Sequence, residues 1–445
     1  MAQSWVDGHL PYTQLWDLKP PLVYFFIGSI IYLFGKSFIA IRLIGALGVA
    51  ITAFFTYKIG KEVKSVPVGF WSAICCICFL SLFGSLQGVM SEHLSMLFFM
   101  PAVYLLIKYK GGGWYFLAGL LFGCSLMMKL NLAYALVFVG LFSIANAFFK
   151  KQLLEGIIRI GAMGSGTILV IGITALPYYT EGIFKTWVNS VLFAPMEYAK
   201  AMQTSFFKVL PLFIILVVFF LLCWKKKWLD FKDNRIQLLI IVVAGVVFSF
   251  LKSGKVNGHY LMQLYPFLLI LLAIALTHLP NPGKKYYPLV IALAFLTPAE
   301  SYLEYYNALK NRVIHGTFYN GEGFTVPAYI EDQQLDKDKI LFFEYHIGYW
   351  LLDALPPTKA ATHPSNICRA ALFRYYQNPR TTSLEELQYL MDTLQPNIVV
   401  IRANKTVFDK EYVAEDRYVK EYLERNFRLE TTIERAEIYT RLPGQ

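Results

Sequence analysis

FIAIRLIGALGVAITAFFTY, residues 38–57, decides the fold class. It holds twenty residues and one charge, Arg42, and as an α-helix it is as long as the roughly 30 Å apolar core of a bilayer. Comparable apolar stretches stand at about 66–83, 94–107, 114–128, 132–149, 157–177, 206–224, 236–251, 260–279 and 287–298, which makes roughly ten spans. The composition agrees: of 445 residues, 56% are hydrophobic and 16% charged, with a mean hydropathy of +0.47. Such a chain needs lipid as its solvent.

The net charge of +11 does not mark a nucleic-acid binder, because the basic residues fall in short clusters between apolar runs rather than on one face. Taken in turn, the first, third, fifth, seventh and ninth loops are basic, as in Lys58, Lys61 and Lys64 or Lys225, Lys226 and Lys227. These loops read as cytoplasmic. Alternation then puts both chain ends outside, and it divides the chain into an outer-face stretch with an interfacial helix at 1–37, a transmembrane bundle at 38–300, and a soluble domain at 301–445. Residues 178–205 read as an outer loop resting on the headgroups. Five of the six cysteines lie in apolar runs, leaving Cys368 alone in the polar part, so there is no disulfide or zinc framework. Residues 1–21 have neither a basic start before an apolar stretch nor a small-residue cleavage site, so no signal peptide is visible.

Beyond Ser301 the pattern changes to that of a mixed α/β domain. Strand-like runs stand at 339–344, 397–402 and 437–442, and helix-like stretches at 383–394 and 415–426, with Ser383 and Glu386 spaced as a capping box. Gly161, Gly164 and Gly166 imitate half of a nucleotide loop but sit inside a span, where they, like Gly119 and Gly123, suit helix packing.

Polar residues gather where the outer ends of spans are expected: Asp17 and Lys19 in WDLKPP, Arg42 in AIRLIG, Glu92 and His93 in MSEHLS, Lys129 in MMKLN, and Lys255, His259 and Tyr260 in KVNGHY. Each alone reads equally well as an anchor, a snorkelling cation or a helix-start carboxylate. Together at one depth they make a cavity with carboxylates, cations and a histidine, because an ionisable group at a membrane edge is costly unless paired or wet. The cations suit a lipid-borne phosphate and the charge developing on it as it departs. A carboxylate suits the proton of an attacking hydroxyl.

The run GHLPYTQLWDLKPPLVYF, residues 8–25, resembles the first outer loop of the GT-C membrane glycosyltransferases related to protein O-mannosyltransferases and ArnT-like aminoarabinose transferases. Weaker matches are the Arg42 span, the acidic start at Glu92, LAGLLFGCSLMMKLNLA through Lys129, HYLMQLYPFLLILLAIAL from His259, and YWLLDALPPTKAATHPS in the outer domain. The resemblance implies an enzyme of the inner cell membrane that transfers a hexose or pentose from a polyprenyl phosphate. The sugar passes, with inversion at its anomeric carbon, to a hydroxyl of a lipid, glycan or protein on the outer face.

Under the same resemblance Lys19 contacts the donor phosphate, Asp17 and Glu92 line the reacting centre, and Arg42, Lys129, Lys255, His259 and Tyr260 complete the phosphate site. A divalent metal is compatible with the pattern and not required by it. The resemblance also implies a main catalytic carboxylate in a helix before the KPP motif, upstream of Met1, so the chain reads as truncated, and either it is inactive as given or Asp7, Asp17 or Glu92 serves as the base. The alternative from another class is a lipid-linked oligosaccharide transporter or a non-catalytic polysaccharide-assembly partner. It shares the cationic cavity but has no use for the KPP loop and should show internal repeats.

Overall fold

The computed structural model describes residues 1–81, 89–201, 206–254, 257–279 and 299–443, with Pro288, Ala292 and Leu296. The expected span at 287–298 falls largely outside the described residues. In chain order the helices are α1 (Ala2–Val6), α2 (Pro21–Phe34), α3 (Phe38–Val63), α4 (Val66–Ser81), α5 (Ser91–Lys108), α6 (Gly112–Leu126) and α7 (Ala133–Phe149). They continue with α8 (Leu153–Thr180), α9 (Phe184–Val188), α10 (Ala194–Ala201), α11 (Leu210–Lys225), α12 (Asn234–Ser253) and α13 (Tyr265–Leu276). Short 3-10 turns precede α7 at Leu130–Leu132 and α13 at Gly258–Gln263. Four helical stretches among the described residues are long and apolar enough to cross a membrane, Phe38–Val63, Leu130–Phe149, Leu153–Thr180 and Asn234–Ser253, and five shorter helices are apolar. The protein is a multi-pass, mostly helical membrane protein.

The chain forms two compact units. One comprises Lys19–Thr180 and Met202–Glu304, the other Met1–Leu18, Glu181–Ala201 and Tyr305–Gln445.

Lipid offers helices little hydrophobic drive to associate, so the bundle holds by close backbone approach and interdigitation. A Cβ on Gly119 would come within 2.0 Å of the Met163 carbonyl oxygen, and one on Gly166 within 2.3 Å of that of Phe116. The α6–α8 contact therefore requires both glycines, and Thr167 Oγ1 adds a bond to the Gly119 carbonyl at 3.0 Å. Gly123, against Val170, belongs to the same seam. Gly161 and Gly164 do not, since a Cβ on either would meet nothing within 4 Å; 3.6-residue periodicity turns them to another side of α8 from Gly166. Gly60 of α3 meets Gly69 of α4, and Gly245 of α12 meets Ala135 of α7. Phe99 and Phe122 join α5 to α6 at 4.9 Å between ring centroids.

The other unit is built on a four-stranded sheet of β1 (Ile340–Phe342), β2 (Ile398–Arg402), β3 (Phe427–Ile433) and β4 (Ala436–Arg441), in the order β1-β2-β4-β3. β1 runs parallel to β2 with Ile340 opposite Ile398, whereas β2–β4 and β3–β4 are antiparallel, with Val400 opposite Ile438. The parallel step needs the long helical connection at residues 343–397. The three expected strand runs contain β1, β2 and most of β4. The sequence reading missed β3, a largely exposed edge strand whose FRLETTI lacks an alternating apolar face. The capping box is also shifted by one residue. Thr382 caps the helix Ser383–Gln388 and Glu385 answers it, while Glu386 is fully buried and accepts from Thr358, Asn378 and Arg380.

Residues 1–18 pack into this unit through Trp16, which is fully buried. Its Nε1–H donates to Ser190 Oγ at 3.1 Å, its carbonyl accepts from Thr362 at 2.7 Å, and its ring lies 4.5 Å from that of Tyr376.

His346, just after β1, lies with its ring 5.0 Å from that of His363 at 17°, and its Nε2 is buried with no hydrogen-bond partner among the described residues. Burial, reinforced by the neighbouring histidine, pushes its pKa down to about 3. A neutral buried histidine binds fewer protons folded than unfolded. Its contribution to stability is complete above the ordinary value of 6.5 and is lost as the pH falls from there toward about 3. The thermal midpoint of the detergent-solubilised protein, read by tryptophan fluorescence, is expected to fall across that window, and to fall less steeply in His346→Phe. Equal slopes would remove His346 from the account.

Candidate active site

The site is built at one end of the bundle, where α5 begins, α6 ends and α12 ends. α2 is brought there by its own sequence. Pro21 opens that helix, where a missing N–H costs nothing, and Leu22, the next residue, donates its N–H to the Met127 carbonyl at 3.2 Å. Val23 packs with Leu94 of α5 and with Met128. The KPP motif is thus a loop-to-helix junction tied to the end of α6.

Glu92, in the first turn of α5, is 1% exposed. Its Oε1 lies 2.7 Å from Lys129 Nζ and 3.9 Å from His259 Nε2, and its Oε2 accepts from Ser91 Oγ at 3.0 Å. Lys129 stands in extended backbone between α6 and the turn before α7, with its ammonium 4.8 Å from the centre of the Tyr260 ring. His259 meets Tyr260 edge-on at 4.6 Å. Burial lowers the His259 pKa against the opposing pull of Glu92, and the charges of Lys129 and Lys19 lower it further. Lys19 therefore lies within the electrostatic reach of this cluster.

The structure therefore gathers Glu92, Lys129, His259 and Tyr260 in direct contact, with Lys19 close by. Arg42 is half-buried one turn into α3, one turn before Gly45, whose Cα faces Val89 ahead of α5. Asp17 belongs to the unit of residues 1–18, where its Oδ1 accepts the Leu18 N–H at 2.8 Å. Lys255 lies outside the described residues. His93 turns away from the cluster. Its Nδ1 accepts from the Met90 N–H at 3.1 Å and its Nε2 sits 3.1 Å from the Leu80 carbonyl, which makes it a structural brace for the start of α5.

The sequence reading missed the amides behind the cluster. Asn131 Nδ2 donates to Gln263 Oε1 at 2.7 Å and to Ser249 Oγ at 3.2 Å, and Gln263 Nε2 returns a bond to Asn131 Oδ1 at 3.2 Å. Gln263 is fully buried. This reciprocal pair ties the turn after Lys129 to the turn after His259. The available signal was a lone glutamine in the apolar run that begins at Tyr260. Among the described residues no group of three His, Cys, Asp or Glu is placed to hold a metal ion.

The described residues thus combine a multi-span helical bundle, a small mixed-sheet domain, and a buried carboxylate paired with Lys129 at one end of the bundle. Residues 18–176, a stretch that carries Lys19, Arg42, Glu92 and Lys129, match the family model described as dolichyl-phosphate-mannose-protein mannosyltransferase. The fold is similar to that of ArnT from Cupriavidus metallidurans. In its crystal structure bound to undecaprenyl phosphate, that protein is 13% identical, with a TM-score of 0.59 over all of this chain and 92% of its own. For its apo crystal structure the values are 12% and 0.56, over 99% of this chain and 91% of that one. No curated protein matches the chain in sequence.

Removing one partner of a buried ion pair leaves an uncompensated charge, at a cost of about 3–5 kcal/mol. Lys129→Met is expected to destabilise the protein by about that amount, and Glu92→Gln with Lys129→Met by clearly less than the sum of the single changes. Thermal melts in nanodiscs measure the cycle; strict additivity would mean that the two groups do not pair.

Proposed function

We propose that this chain transfers a sugar from a polyprenyl-phosphate donor to a hydroxyl of a lipid, glycan or protein acceptor at the outer face of the membrane, inverting the anomeric carbon. The observation that carries the reading is the meeting of Lys129 and His259 at the buried Glu92, at one end of the bundle and within the electrostatic reach of Lys19. ArnT, the like-folded protein, was crystallised bound to undecaprenyl phosphate, and that donor class is extended here to this chain. The outer-face assignment rests on the basic loops at the opposite helix ends.

In this reaction the acceptor oxygen attacks the anomeric carbon, and the bond from that carbon to the phosphate oxygen breaks. Its electron pair leaves with the polyprenyl phosphate, and the hydroxyl proton passes to a carboxylate. Charge therefore builds on the departing phosphate. Lys19, in the loop before α2, supplies the cation that meets it, with Arg42 as a further counter-charge. Lys129 and His259 position the phosphate from the other side, and Tyr260 walls the cavity beneath the Lys129 ammonium. Glu92, which also orders Lys129 through its ion pair, is one candidate proton acceptor, and Asp17, two residues before Lys19 in the sequence, is the other.

The test is transfer of radiolabelled sugar from polyprenyl phosphate in membranes that contain the protein. Lys19→Ala is expected to lower the rate about 10²–10³-fold, the effect of removing one donor aimed at developing charge. Transfer by neither form, with correctly inserted protein, would favour the transporter alternative. Undiminished transfer by Lys19→Ala would overturn the assignment of the donor site.

A further inference from the structure

The helices that present the site carry a second polar rim at their other ends. From Glu92 to Lys108 α5 covers about 24 Å at 1.5 Å per residue, and α12 carries Arg235 in its first turn and ends at Ser253, six residues before His259. At this far end the bundle encloses a cavity of about 730 Å³. It is lined by four cations, Lys110, Lys150, Arg159 and Arg235, and two carboxylates, Glu155 and Asp233, for a balance of two positive charges. The carboxylates are taken: Arg159 pairs with Glu155, and Arg235 forms a two-pronged pair with Asp233 at 2.6 Å while bonding the Glu62 carbonyl, also at 2.6 Å. Lys110 and Lys150 have no ion-pair partner among the described residues and supply the excess. The remaining wall is part apolar, from Leu106, Ile107 and Phe142, and part polar, from Ser143, Asn146 and Gln152. The floor is fixed by the close approach of α7 and α8, where a Cβ on Gly156 would lie 2.3 Å from that of Ala147.

We infer that this cavity binds the phosphate headgroup of an anionic membrane lipid, at the end of the bundle opposite the transfer site. Two ordered arginines with satisfied partners form a rigid frame, and two unpaired lysines on long stems are left to reach an anion. A basic pocket between membrane helices next to an apolar wall suits a phosphate that carries hydrocarbon better than a free ion. Its volume lies within the usual range for ligand sites. Nothing in the inference depends on glycosyl transfer, so it stands or falls independently of the proposed activity.

Native mass spectrometry of the full-length protein, delipidated in detergent and titrated with phosphatidylglycerol, phosphatidylcholine or inorganic phosphate, tests it. Phosphatidylglycerol is expected to bind in preference to the zwitterionic lipid. At about 1 kcal/mol per cation, Lys110→Gln with Lys150→Gln should weaken it about 30-fold, and the corresponding double arginine variant should restore binding. Lys225→Gln with Lys226→Gln, at exposed lysines outside the cavity, should leave binding unchanged. Equal retention of the two lipids, or equal loss in that control variant, overturns the site. Displacement of the lipid by inorganic phosphate alone keeps the phosphate chemistry and overturns the lipid as its source.

Discussion

A carboxylate sealed from water at the mouth of a helix bundle must find its countercharge within the protein, and the arrangement of this end of the bundle follows from that need. Glu92 is 1% exposed and meets Lys129 at 2.7 Å. Because α5 carries one partner and the α6–α7 turn the other, the pair fixes how far α6 can slide along α5, and it draws His259 and Tyr260 from the end of α12 into the same cluster. Charge alone would not hold that register. The Asn131–Gln263 amide pair sets the two turns, and the glycine seam between α6 and α8 lets α6 sit where Lys129 can reach.

Membrane helices can be charged only near their ends, because an ion at mid-depth costs several kcal/mol unless it is paired or wet. A bundle whose consecutive helices are antiparallel therefore has two polar rims and an apolar waist. Here the rims differ in character. At the Glu92 end a single buried carboxylate pairs with Lys129 beside His259 and Tyr260. At the Arg235 end two arginines are locked into ion pairs and two lysines are left over, a geometry suited to holding an anion at rest.

The fold class and most helices were legible in the sequence, because burial in lipid is written in runs of apolar residues whose length alone matches a bilayer. The described spans start or end within a few residues of where hydropathy put them, α3, α4 and α12 among them. Of the polar residues the sequence singled out at span ends, Glu92, Lys129, His259 and Tyr260 meet, whereas His93 turns away and Asp17 falls in the other unit. In the soluble part, strands with a buried face were readable, as at Ile398–Arg402, and the exposed edge strand Phe427–Ile433 was not.

Contacts between distant residues were decided by the tertiary structure, because neither periodicity nor composition encodes them. Gly166 and not Gly161 packs against α6; His93 braces Leu80 while its neighbour Glu92 faces the cations; and Asn131 finds Gln263 across 132 residues of chain. Trp16, three residues before Lys19, is held by Ser190, Thr362 and Tyr376. The sequence by itself determined that this chain lives in lipid and which side chains it can spare for chemistry. Only the three-dimensional packing decided which of them meet, because a helix turns each residue every 100° and small residues decide which faces can close together.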